Sequence, residues 1–270
     1  ILGIRLCDLP EPGTCLRTED LELVALVLRK TWTRLDVDAA LEAAVARTGV
    51  PRVIVSDHGA DVAGGVTLFQ ERHPDTVDIY DFKHKAACLM KHRLEHNPLW
   101  KEFQTQVNLT RNKIQQTELG FLTPPALKVK ARFMNLADQL TWGGHILNIL
   151  KDPPPEVLAH GGLERLQEKL GWVESFREDL REWGEWQHIV DTIGVFVNQQ
   201  GLYWGLLQDL KRDLPLEYAF GTSQELANEL LGFVRGESAK AHYGERIPGS
   251  TEPLESCFGK YKVLEREQSR

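Results

Sequence analysis

The feature that most constrains this chain is a change of pattern near Pro98. Before it, short apolar runs alternate with stretches of helical spacing; after it, as far as about Gly244, almost everything reads as helix. Ile1 to Leu6 reads as a strand, ended by Pro10, Pro12 and Gly13. Asp20 to Trp32 fits either state, because Leu21, Val24 and Leu28 keep helical spacing while the Val/Leu density suits a strand. Asp36 to Arg47 predicts a helix with Asp36 as its N-cap. Arg52 to Ser56 is a β-branched run typical of a buried strand. A helix from about Val62 to Arg72, a strand from Thr76 to Tyr80 and a helix from Phe82 to Glu95 follow. Such alternation implies an α/β core with parallel strands. The helical stretch is broken at Pro124-Pro125, Pro153 to Pro155, Gly161-Gly162 and Asp213 to Pro215, and Gly249 to Thr251 introduces a last helix from about Glu252 to Glu267. Three divisions result: 1–97, 98–245 and 246–270.

A content of 42% hydrophobic and 26% charged residues is enough for a buried core. A net charge of −7 argues against nucleic acid, but its distribution does not. Lys83 to Arg132 holds ten Lys/Arg against three Asp/Glu, a local +7, and the rest of the chain is therefore −14. This basic stripe is either an electrostatic footprint or a solvated helix face. Cys7, Cys15, Cys88 and Cys257 form no CxxC pair, so neither a zinc signature nor a disulfide framework is indicated, and free thiols fit a reducing cytoplasm. No apolar run is long enough to span a membrane and no signal peptide is evident. The start at Ile1, inside an apolar run, suggests a fragment.

In an open α/β sheet, ligands bind beyond the carboxyl ends of the strands. Asp57 follows the run Val53 to Ser56, and Asp81 follows Tyr80. Carboxylates on neighbouring strand ends can share a divalent cation, since Mg²⁺ takes hard oxygen ligands; taken alone, each reads more readily as a turn or N-cap aspartate. Further on, Glu255 and Lys262 are seven residues apart, two helical turns, and share a face. Glu252, followed by Pro253, suits a helix end instead.

Val53-Ile54-Val55-Ser56-Asp57-His58-Gly59-Ala60-Asp61, then Tyr80-Asp81-Phe82-Lys83-His84-Lys85, then the helical stretch, then Glu255-Ser256-Cys257-Phe258-Gly259-Lys260-Tyr261-Lys262 resembles a bacterial insertion-sequence transposase with an Asp-Asp-Glu triad. The resemblance runs from about Ile1 to Lys262. It implies a ribonuclease-H-like α/β fold, a mixed sheet core interrupted by a large all-α insertion. Asp57 corresponds to the family's second aspartate, Glu255 to its glutamate and Lys262 to a recurring lysine on the same helix, while Asp81 and His84 fit a recurring Asp-x-x-His element. The family's first aspartate lies on a strand upstream of a hairpin whose second strand Ile1 to Leu6 resembles. Asp8 and Asp20 are the early alternatives, and the expectation is that the first aspartate is absent.

The resemblance further implies metal-dependent DNA strand cleavage and strand transfer, with two Mg²⁺ or Mn²⁺ ions held by Asp57, Glu255 and the first aspartate. Asp81, His84 and Lys262 would support the site. Lys83, Lys85, Lys91, Arg93, Arg111, Lys113, Lys128, Lys130 and Arg132 would track the backbone of double-stranded DNA, at transposon ends and target, with a homodimer assembled on it in the bacterial nucleoid. The tryptophans of the helical stretch are read as core, with Trp142 and a solvent-facing Trp183–Trp186 pair as candidates for stacking on an unpaired base. With two carboxylates the chain alone is expected to be inactive. A domesticated remnant that only binds DNA or a partner protein is the alternative.

Overall fold

The computed structural model describes every residue except 1, 7, 15–16, 18–19, 28–29, 127–135, 216 and 252–270. Along the chain run β1 (Leu2–Leu6), β2 (Leu21–Leu26), α1 (Arg34–Thr48), β3 (Val53–Ser56), α2 (Ala60–Arg72), β4 (Val77–Tyr80), α3 (Phe82–Glu95) and α4 (Pro98–Ile114). They are followed by α5 (Leu136–Lys151), α6 (Pro155–Leu170), α7 (Arg177–Gln200), β5 (Leu202–Tyr203), α8 (Leu206–Asp213), α9 (Gly221–Ser238) and β6 (Arg246–Ile247). The protein is mixed α/β, and no helix among the described residues is long and apolar enough to cross a membrane.

The ambiguous segment after Asp20 is a strand: β2 pairs antiparallel with β1, and the Arg5 guanidinium reaches Glu22 across the pair at 2.7 Å. The expected parallel pairing holds for β3 and β4, where Ser56 stands opposite Tyr80. β5 and β6 make a third, antiparallel pair, and among the described residues the three pairs are separate sheets.

The predicted N-cap of α1 needs correction. Thr33 is the cap, and Asp36 sits three positions later, closing a capping box: Thr33 Oγ1 accepts the Asp36 N–H at 3.3 Å, and Asp36 Oδ2 accepts the Thr33 N–H at 3.1 Å. An aspartate can serve at either position, so its presence alone does not fix the helix start. α1 lies close against α2 at Gly65, where a β-carbon would come within 2.4 Å of Val37. At the other end of the pair, Arg72 bridges Asp38 and Glu42.

Two compact units are drawn from interleaved segments. The first comprises 1–86, 192–215 and 228–270, the second 87–191 and 216–227. Three of their four boundaries fall within α3, α7 and α9 and the fourth between α8 and α9, not at the changes of sequence pattern after residues 97 and 245.

The first unit contains all the strands found among the described residues. The outer edge of β4 is closed by side chains from the end of α9 and the turn just after it: Glu237 accepts the Tyr80 N–H at 3.2 Å, and the Lys240 ammonium donates to the Asp78 carbonyl at 2.6 Å and to Glu237 at 2.7 Å. Arg52, just before β3, donates to Glu245 and to the Lys240 carbonyl. Phe82 and Phe233 pack behind this edge with ring centroids 6.4 Å apart.

The second unit is a helical assembly around aromatic rings. Trp183 is fully buried, edge-on to Trp100 at 5.0 Å and to Phe103 at 5.6 Å. Trp172 hands its indole N–H to Thr110 at 2.9 Å, and Trp142 hands its own to the Leu122 carbonyl at 2.9 Å. The expected solvent-facing Trp183–Trp186 pair is therefore corrected: both rings are buried, because residues 183 and 186 share the inward face of α7 with Leu180 and Ile189.

Candidate functional site

The parallel register of β3 and β4 places Asp57 and Asp81 at neighbouring strand ends on one carboxyl edge, and the Asp81 N–H donates to the Ser56 carbonyl at 2.8 Å. Their roles differ. Asp81 is 2% exposed. Its Oδ1 accepts the His84 N–H at 2.7 Å, capping α3, and its Oδ2 accepts both the N–H and the hydroxyl of Thr251. Both oxygens are thus occupied by protein donors. Beside it the Phe82 N–H donates to the Gly249 carbonyl at 3.0 Å. Gly249 is required there, since a β-carbon would meet Val197 at 2.6 Å and Leu202 at 2.9 Å. The end of β4 is in this way tied to residues 249–251 at two points.

Asp57 is exposed. Its Oδ1 accepts the Gly59 N–H at 3.1 Å, an Asx-type turn, and nothing else described bonds to its carboxylate. One outward carboxylate oxygen is a hard donor that fits a divalent cation such as Mg²⁺ or Mn²⁺. Among the described residues no group of three His, Cys, Asp or Glu side chains comes together to hold a metal. Glu255 and Lys262 lie outside the described residues.

Three residues around Asp57 were missed by the sequence reading. His58 has φ 52, the one positive value outside glycine among the described residues. Its ring stacks on Tyr80 at 4.5 Å with 6° between the planes. Its Nε2 lies 3.0 Å from Asp78 Oδ2, a contact of ion-pair length whose alignment does not make a hydrogen bond. His84, on the other side, is tilted against Tyr80 at 5.9 Å. The available signal was the dipeptide His58-Gly59 directly after a strand, since His is among the residues that tolerate a left-handed turn.

The basic residues are dispersed. Lys83 is half-buried and has a partner, and Lys85 holds its ammonium 6.0 Å from the Phe233 ring. In the second unit Arg93 is held between Glu225 and the Trp186 ring, and Arg111 donates to the Pro124 carbonyl at 2.7 Å. Lys91, loosely paired with Glu95 at 3.7 Å, and Lys113 face solvent. Lys128, Lys130 and Arg132 lie outside the described residues.

Compared with family models, curated proteins and solved structures, the chain matches none.

Proposed function

We propose that this chain is the catalytic portion of a metal-dependent DNA transposase with a ribonuclease-H-like core. The observation that carries this reading is the tie between Asp81 and Thr251. It fixes the start of the C-terminal segment at the same carboxyl edge as Asp57. Glu255 follows Thr251 by four residues, which span at most about 14 Å when fully extended. On this reading Glu255 would come, within that reach, to the edge that carries Asp57, although the two are nearly two hundred residues apart in sequence. The split of the strands also fits. One further strand bonded to both β1 and β3 would join two separate pairs into the single mixed sheet that the reading calls for.

Asp57 and Glu255 would hold the Mg²⁺ or Mn²⁺ ions, with the third carboxylate coming from that further strand. When bound, the ions would supply a nucleophilic oxygen at neutral pH and charge stabilisation for the leaving oxygen. The protein's own part is to hold the Asp57 carboxylate in a fixed, solvent-facing turn. Lys91 and Lys113 offer cations to phosphate, positioning double-stranded DNA without reading its sequence. A homodimer on DNA in the nucleoid belongs to the same reading.

A second reading, a remnant that binds DNA without chemistry, is favoured by one observation: both Asp81 oxygens already accept hydrogen bonds from the protein. The test is Mn²⁺ binding by the 270-residue chain, followed by electron paramagnetic resonance. On the first reading, Asp57→Asn and Glu255→Gln each weaken Mn²⁺ binding about tenfold or more. Mn²⁺ binding unchanged in both variants, beside intact DNA binding, leaves the remnant.

A further inference from the structure

We propose that His58 is the positioning residue for Asp57, its ring acting as a clamp that holds the strand-end turn in the one shape that turns a carboxylate oxygen outward. This rests on Asp57 being a metal ligand, as proposed above.

The turn has an unfavourable backbone at its centre. A φ of 52 at a residue with a β-carbon is left-handed, a conformation that persists only when its surroundings over-determine it. Here the surroundings are specific. The imidazole lies flat on Tyr80 at 4.5 Å, and its Nε2 abuts Asp78 Oδ2 at 3.0 Å. Tyr80 is itself braced edge-on by Phe233 at 5.7 Å. The backbone is held as well: the His58 N–H donates to Ser56 Oγ at 3.3 Å, and Ser56 is buried.

The consequence falls on the preceding residue. The left-handed turn at His58 brings the Gly59 N–H back to Asp57 Oδ1 at 3.1 Å. That bond fixes the plane of the carboxylate and leaves Oδ2 as its open oxygen. Without the clamp, a histidine would relax toward negative φ, carrying the Gly59 N–H away and freeing the aspartate to rotate. A metal ligand that rotates freely is a weaker one. Nothing in the packing of β3 and β4 requires a ring at position 58, because Ile79, on the opposite face of β4 from Tyr80, is the strand's fully buried residue.

The experiment compares Mn²⁺ dissociation constants of the full chain by electron paramagnetic resonance, with urea unfolding as the control for stability. Asp57→Asn tests the underlying reading: wild-type affinity in that variant sinks metal ligation by Asp57 whatever His58 does. If Asp57→Asn abolishes binding, His58→Gly becomes decisive, because glycine accepts positive φ without strain and removes only the ring. The expected result is a dissociation constant raised about tenfold at an unchanged urea midpoint. Wild-type affinity in His58→Gly overturns the clamp while leaving Asp57 in place as a ligand. Should that variant fail to fold, Asp78→Asn keeps the stack and removes the carboxylate facing Nε2. A loss of about threefold or more is then expected, and unchanged affinity again overturns the proposal.

Discussion

The two compact units are stabilised by different kinds of interaction. In the second, Trp100, Phe103, Trp172, Phe176 and Trp183 form a network of ring contacts, and the polar atoms of Trp142 and Trp172 are satisfied by single bonds at its margin. In the first, individual polar bonds decide which segments meet: Asp81 holds Thr251, Glu237 and Lys240 close the edge of β4, and Arg52 reaches Glu245. Apolar packing is non-directional and tolerates alternatives. A buried carboxylate with three donors does not, since losing one partner strands the others. Bonds of the second kind are what a site at a strand end needs, because they fix directions as well as proximity.

The largest expected effect is in the aromatic unit. Trp183→Ala removes its most central ring and should cost about 3–5 kcal/mol in urea unfolding. Hydrogen exchange then asks whether the loss is confined to residues 87–191 and 216–227. If the β3 and β4 amides lose protection to the same degree, the two units unfold as one and the contrast between them fails.

Next comes Asp81→Ala, which leaves the half-buried His84 and Thr251 N–H groups without their acceptor and should cost about 2 kcal/mol. Its signature is a selective loss of protection at Thr251. An unprotected Thr251 amide in the wild-type chain would show that the tie does not hold the segment.

The smallest effect is in alkali. Burial, reinforced by the 2.8 Å bond to Asp209, pushes the Tyr203 phenol up to about 12 from its ordinary 10.0. Between those values the folded chain keeps a proton that the unfolded chain releases. Stability is therefore fully present below about pH 10 and falls as pH rises toward 12, by about 1–2 kcal/mol after allowance for partial exposure. Tyr203→Phe should flatten that limb of the pH–stability curve. An identical limb in the variant would assign the loss to another group.

How much of this was legible in the sequence follows the same division. Periodicity and β-branched runs located β1, β3, β4 and α3 within a residue or so, although Val53 to Val55, read as a buried run, are only half-buried. The strand ends, and hence Asp57 and Asp81, followed from them. The two aspartates could not be told apart, since occupancy of Asp81 depends on Thr251, 170 residues away. The clamp on His58 was equally hidden: it needs Tyr80 and Asp78 to lie beside it, which follows from register and not from spacing. Trp183 and Trp186 are core, as first read; only their suggested exposure was wrong, because a lone helix does not announce how wide its buried face is.

The closure of β4 by α9 has a consequence for assembly. An unpaired strand edge is a template, open to any other chain that can lay a strand along it, and proteins commonly blunt such edges to avoid stacking into fibres. Glu237 and Lys240 do this with side chains alone, filling an acceptor and a donor position that a neighbouring strand would otherwise take. The parallel pair is thereby made one-sided. A strand added at the β4 edge, from this polypeptide or another, would first have to displace Glu237 from the Tyr80 N–H and Lys240 from the Asp78 carbonyl.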